Sequence, residues 1–182
     1  EVTAPVETEM GGIRFEDNGD VTIITGTLDY GQGHAVAFGQ VLHSFLGIPF
    51  DRIKLLQGDS DELITGGGTG GSKSIMASGG AIIEAATEVI QKAKTVASHV
   101  FETSLEDIEF KNGNLLVAGT DKSISLMELS AELKKDLSKI EGLPSTLDVK
   151  LDHGGVPSAF PNGCHICEVE IDPETGALKI DR

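Results

Sequence analysis

A chain of 182 residues, 39% of them hydrophobic, is long enough for one domain with a buried core and too apolar to stay disordered. Its 29 acidic and 14 basic residues leave a formal charge of −15, which argues against nucleic-acid and anionic-membrane partners, both of which are recognised through Lys and Arg. No apolar run approaches the roughly 18 residues of a spanning helix, and Glu1-Val2-Thr3-Ala4-Pro5 carries no signal-peptide pattern, so a cytoplasmic chain is expected. The absent initiator Met points to a processed chain or a piece of something longer.

Taken in order, Ile13-Arg14-Phe15-Glu16 and Val21-Thr22-Ile23-Ile24-Thr25 read as a hairpin over Asp17-Asn18-Gly19-Asp20. A short loop bracketed by glycine, Tyr30-Gly31-Gln32-Gly33-His34, follows. Phe38, Val41, Leu42 and Phe45 then recur at helical spacing from about Ala35, and Gly47 and Pro49 stop that helix. Arg52 to Gln57 reads as a strand. The stretch from Ile75 to Val100 reads as a long amphipathic helix, in which Gly79 and Gly80 suggest close packing against a neighbour. A second hairpin is expected at Ile108–Phe110 and Leu115–Val117 over Asn112-Gly113. Ser125 and Glu128 form a capping box for a helix towards Lys135. Leu147 to Leu151 reads as a strand, His153 to Gly163 as irregular, and Ile166–Ile171 with Ala177–Ile180 as a last hairpin. The fold class expected is α+β, a mixed sheet built from hairpins with two to three packed helices, in one domain over residues 1–182.

Two cysteines, Cys164 and Cys167, are too few for a disulfide framework. Their segment alternates as a strand, which would turn them to opposite faces, so they read as ordinary strand cysteines rather than a chelating pair. His43, His99, His153 and His165 show no ligand spacing, and Asp59, Asp61 and Glu62 lack the full EF-hand pattern and read as a solvated acidic turn. No metal ligand is assigned.

The densest signal is Gly66-Gly67-Gly68-Thr69-Gly70-Gly71-Ser72-Lys73-Ser74, placed between a strand and a helix. Backbone so poor in Cβ atoms can approach a ligand closely, and at a helix N-terminus its N–H groups favour an anion. The mononucleotide P-loop pattern fails because Ser72 intrudes between Gly71 and Lys73, and the dinucleotide pattern lacks its βαβ unit and ribose-binding acid. A non-catalytic phosphate- or nucleotide-binding domain using this loop is the alternative to the reading that follows.

Tyr30-Gly31-Gln32-Gly33-His34, then a helix, then Gly58-Asp59-Ser60-Asp61, then Gly68 to Ser74 form an ordered set. That set resembles the molybdenum-cofactor-binding part of the large subunit in the xanthine dehydrogenase and aldehyde oxidase family, most of all its carbon monoxide dehydrogenase-like members. The resemblance covers nearly the whole chain, from about Gly11 to the Glu168–Gly176 stretch. It implies a molybdopterin cofactor with molybdenum, in bacterial members as the cytosine dinucleotide, and a hydroxylase acting on an aldehyde or N-heterocycle with water. It also implies that Gln32 donates its amide toward the metal end or the pterin, that Gly31 and Gly33 let the backbone approach, and that His34 starts the following helix. The backbone of Gly70, Gly71 and Ser72, with the hydroxyls of Thr69, Ser72 and Ser74, would wrap the phosphate. Lys73, where relatives usually carry Arg, would neutralise charge without a planar fork.

The family's catalytic glutamate would lie downstream, so no catalytic residue is assigned within this chain. The implied partners are the remainder of the large subunit and iron–sulfur and FAD subunits or domains. The isolated piece is expected to be an inactive monomer that does not retain the cofactor.

Overall fold

In the computed structural model, which describes residues 2–135 and 137–182, the predicted first hairpin is present. Strand β1 (Val6–Phe15) turns into β2 (Val21–Thr25) with Phe15 opposite Val21, and Gly19 takes a φ of 82° in the turn. Strand β1 begins at Val6 rather than at Ile13, because its first half pairs with a strand from far along the chain.

Helix α1 (His34–Leu46) ends on Gly47, whose left-handed conformation lets its N–H reach the His43 carbonyl at 2.9 Å. Strand β3 (Ile53–Gln57) then runs parallel to β2, so β2–α1–β3 is a crossover unit inside a sheet otherwise paired antiparallel.

Helix α2 (Ser74–Val100) lies on β1 through a stripe of small residues. A Cβ on Gly11 would fall 2.4 Å from the Ala81 carbonyl oxygen, so helix and strand meet backbone to backbone there. Of the two glycines expected to mark close packing, Gly80 does so against His153, where a Cβ would fall 3.0 Å from Nε2.

A second, three-stranded layer follows: β4 (Ile108–Lys111), β5 (Asn114–Val117) and β6 (Ser123–Ser125), all antiparallel. Helix α3 (Leu126–Lys135) starts from the predicted capping box, in which Ser125 Oγ accepts the Glu128 N–H and the Glu128 carboxylate accepts the Ser125 N–H, each at 3.2 Å. Leu126, Leu129 and Leu133 join Phe38, Leu42, Ile82 and Val89 in one continuous core.

Strand β7 (Val149–Val156) pairs along β1 from Val149 opposite Ile13 to Val156 opposite Val6, giving the sheet order β3-β2-β1-β7. The stretch expected to be irregular after His153 is therefore strand as far as Val156. Its glycines hide a pairing that β1's free edge makes available. The last hairpin, β8 (Val169–Ile171) and β9 (Leu178–Ile180), is shorter than expected and fully exposed.

Cys164 and Cys167 lie in the exposed, irregular segment before β8 rather than in a strand, because no neighbouring strand pairs with them. The expected acidic turn is present, with Asp59 and Asp61 exposed and the Glu62 N–H donating to the Asp59 carbonyl at 3.1 Å, but the Glu62 side chain is half-buried. It bonds Arg14 at 2.7 Å and Lys150 at 2.8 Å, pinning the segment after β3 to β1 and β7. Among the described residues no helix is long and apolar enough to cross a membrane. The fold is α+β, with a mixed sheet and three packed helices, as expected.

The contact between Gly11 and Ala81 sets how closely α2 can approach the sheet. Replacing Gly11 with Ala forces the helix outward and should cost about 1–3 kcal/mol of stability in urea denaturation. An unchanged midpoint would mean that the contact is not limiting.

Candidate functional site

The two glycine-rich loops meet where β2 ends. Gly26 leaves β2 with no side chain, and a Cβ there would fall 2.5 Å from Gly66 Cα and 2.6 Å from the Thr65 carbonyl oxygen. The Gly26 carbonyl accepts the Gly68 N–H at 3.2 Å, and its own N–H donates to Glu9 Oε1 at 2.7 Å. One step further on, Thr69 Oγ1 accepts the Leu28 N–H at 3.0 Å. The loop after β2 and the loop before α2 are thus one hydrogen-bonded unit.

In the first loop the Asp29 carboxylate organises the backbone. Its Oδ1 accepts the N–H groups of Gly31 (2.7 Å) and Gln32 (2.8 Å), and its Oδ2 accepts that of His34 (2.7 Å). These bonds, with Gly31 first, hold its pKa below the usual carboxylate range. They also occupy the N-terminus of α1 with a built-in negative charge. Gln32 folds its side-chain oxygen back onto the Tyr30 N–H, and among the described residues its Nε2 hydrogens have no acceptor.

The second loop is different. Helix α2 opens at Ser74 with no side-chain cap and no acid in its first turn. Among the described residues the N–H groups of Thr69, Gly70 and Gly71 find no acceptor in the chain. A Cβ on Gly70 would meet open space. A cavity of about 400 Å³ opens between the loops, lined by Gln32, His34, Thr69, Gly70, Ser72 and Ser74, with Ala37, Phe38 and Ile75 as its apolar wall.

The remaining expected site residues stand around this cavity rather than in its wall. Gly31 and Gly33 shape the turn into α1 through positive φ values of 111° and 77°. Gly71 turns towards the N-terminal segment, where a Cβ would fall 2.6 Å from Ala4 Cβ and its carbonyl accepts the Ala4 N–H. Lys73 lies in a separate cleft with Thr8, Thr65 and Gly67, its Nζ 3.4 Å from the Gly67 carbonyl.

Glu9, Asp29 and Gln57 were not singled out in the sequence. Asp29 could have been found, since an Asp just before a Gly-x-Gly turn into a helix is a cap signal. Glu9 carries no local signal: it is a carboxyl in a strand, buried to 1% exposure by contacts from other elements. Burial raises its pKa above 4.5, against the opposing bonds from Gly26 and Met10 and the charge of Lys73. Among the described residues no group of three or more His, Cys, Asp or Glu could hold a metal ion.

Residues 2–182 match the molybdopterin cofactor-binding domain family. The chain is 34% identical over 172 residues to the nicotine 6-hydroxylase large subunit of Paenarthrobacter nicotinovorans, covering 93% of this chain and 21% of that subunit. It is 31% identical over 170 residues to the carbon monoxide dehydrogenase large chain of Hydrogenophaga pseudoflava, with 93% and 21% covered. The solved structure of reconstituted CO dehydrogenase from Oligotropha carboxidovorans superposes with a TM-score of 0.77 at 28% identity, over 96% of this chain and 22% of that one. The chain thus spans about a fifth of the length of the relatives it matches. Nothing in these matches supports the alternative of a stand-alone phosphate- or nucleotide-binding domain.

Glu9 supplies a pH test of the loop junction. Because its folded pKa lies above the model-peptide value of 4.5, the native state holds the proton more tightly than the unfolded chain. Stability should then fall as pH rises through the window from 4.5 up to the raised value, by at most about 1.4 kcal/mol per pH unit. Glu9→Gln keeps an acceptor for Gly26 and cannot titrate, so its stability should gain on the wild type across that window. Parallel stability curves for the two proteins between pH 4 and 8 would remove the buried charge from the account.

Proposed function

Because this chain belongs to the molybdopterin cofactor-binding domain family, we propose that it forms one wall of the cofactor site in a molybdenum hydroxylase large subunit. The observation that carries this reading is the single cavity shared by the two loops, with unpaired backbone donors on one side and the Gln32 amide on the other.

The residues present fit a phosphate-bearing group. Among the described residues, the unpaired N–H groups of Thr69 and Gly70, the uncapped start of α2 and the hydroxyls of Thr69 and Ser74 would be donors to an anion, with Ser72 in the same wall and Gly71 shaping the loop behind it. Gly70 leaves room for phosphate oxygens where a side chain would stand. Thr69 keeps its O–H for a ligand because its oxygen already accepts from Leu28. At the other end Gln32 presents amide hydrogens, fixed in direction by the contact of its oxygen with Tyr30. His34 and the apolar side chains of Ala37, Phe38 and Ile75 close the cavity wall. Lys73 neutralises charge across the loop rather than by direct contact.

When bound, molybdopterin with molybdenum, in the cytosine dinucleotide form, would supply two-electron oxidation of a C–H bond with water as the oxygen source. The substrate class proposed is an aldehyde or N-heterocycle. A relative named for nicotine, an N-heterocycle, supports that class, while another is named for carbon monoxide. The proposed setting is a cytoplasmic complex in which iron–sulfur and FAD partners carry the electrons away. The domain by itself is proposed to be a monomer without turnover, since the activity belongs to the longer subunit.

In the longer subunit, Gln32→Ala should lower kcat by about 100-fold, the loss expected for one preorganised donor. Molybdenum content by elemental analysis should stay close to wild type, because the phosphate end is held elsewhere. Unchanged turnover would place Gln32 outside the site, and absence of molybdenum from the wild-type subunit would overturn the cofactor assignment itself.

A further inference from the structure

Gln57 ends β3 beside the first loop, where its side chain bonds Asp29 and reaches the ring of His34, which lines the cavity. Its Oε1 accepts the Asp29 N–H at 3.1 Å, and because a backbone N–H only donates, that contact identifies the oxygen end of the amide. Its Nε2 then faces Thr25 Oγ1 at 2.8 Å, Thr27 Oγ1 at 2.9 Å and His34 Nδ1 at 3.3 Å. An amide nitrogen donates and does not accept. A hydrogen on His34 Nδ1 would point at the hydrogens of this amide, so Nδ1 is the acceptor and the neutral ring carries its proton on Nε2.

The ring plane is held as well. His34 stacks on Phe38 with centroids 4.7 Å apart and planes 23° from parallel, and it is only 4% exposed. Among the described residues His34 Nε2 has no partner in the chain, yet no buried side-chain nitrogen or oxygen is left without one. Nε2 therefore opens to the cavity that His34 lines. Behind the amide, Thr25, Thr27 and Ser78 form a buried chain of hydroxyls that can rotate to accept the remaining Nε2 hydrogen of Gln57.

We propose that Gln57 is a positioning residue that presets His34 as an Nε2–H donor into the cavity, aimed at an anionic oxygen of its occupant. Only the identity of that anion, a phosphate oxygen of the cofactor, rests on the function proposed above. The tautomer does not. Gln57 reaches His34 from the edge strand β3, so the crossover unit β2–α1–β3 delivers both members of the pair to the cavity.

The test is long-range proton–nitrogen correlation NMR on protein labelled with nitrogen-15 histidine, recorded at pH 8, with His34 assigned by its loss in His34→Gln. The wild type should show Nδ1 unprotonated and Nε2 protonated. Gln57→Glu is isosteric but offers an acceptor where the amide offered a donor, so His34 Nδ1 should become protonated. In Gln57→Leu the two nitrogen shifts should move towards the average of exchanging tautomers. A wild-type ring protonated at Nδ1 overturns the proposal even if no variant folds, and so does Gln57→Glu with Nδ1 still unprotonated. Failure of the cofactor reading would appear instead as missing molybdenum in the longer subunit, with the wild-type ring tautomer unaffected.

Discussion

Everything at the site depends on one close approach of backbone to backbone, Gly26 against Thr65 and Gly66. The two chains pass so near that no Cβ fits on Gly26, and three polar contacts lock them: Glu9 to the Gly26 N–H, the Gly26 carbonyl to the Gly68 N–H, and Thr69 to the Leu28 N–H. A carboxyl buried to 1% exposure is a costly way to hold a loop. It is tolerable because the strand-end N–H it satisfies would otherwise be an unpaired donor in the interior. With that junction formed, the second loop has little choice about where its free amides face. They open on the same cavity as Gln32 and His34.

The charge distribution follows a division of labour between two helix starts. Both α1 and α2 begin beside the cavity, and each has a positive dipole end. Asp29 fills the first with its own carboxylate, which fixes the shape of the Gly31–His34 turn. The second carries neither cap nor acid, so its N–H groups remain for an external anion. In a chain of formal charge −15 the proposed anion site would thus be built from backbone, while the nearby cation, Lys73, lies in a separate cleft.

Much of this was legible in the sequence because the signals were local. The turn at Asn18-Gly19, the glycine stop at Gly47, the capping box of Ser125 and Glu128 and the long stripe of α2 each specify their own geometry within a few residues. The two loops were legible as a pair because both are short, dense in glycine and placed before helices. What was not legible depended on distant partners. The strand character of residues 153–156 comes from β1, the irregular run around Cys164 from the want of such a partner, and the roles of Glu9 and Gln57 from side chains brought in by three different strands.

The central claim, that these two loops together hold the phosphate and metal ends of one molybdopterin cofactor, is tested most directly by a crystal structure of the longer subunit with its cofactor bound. The account predicts phosphate oxygens within hydrogen-bond distance of the Gly70 N–H and the start of α2, and the molybdenum end on the Gln32 side of the same cavity. A cofactor whose phosphate lies against other segments, with the Gly66–Ser74 loop contacting only protein, would contradict it.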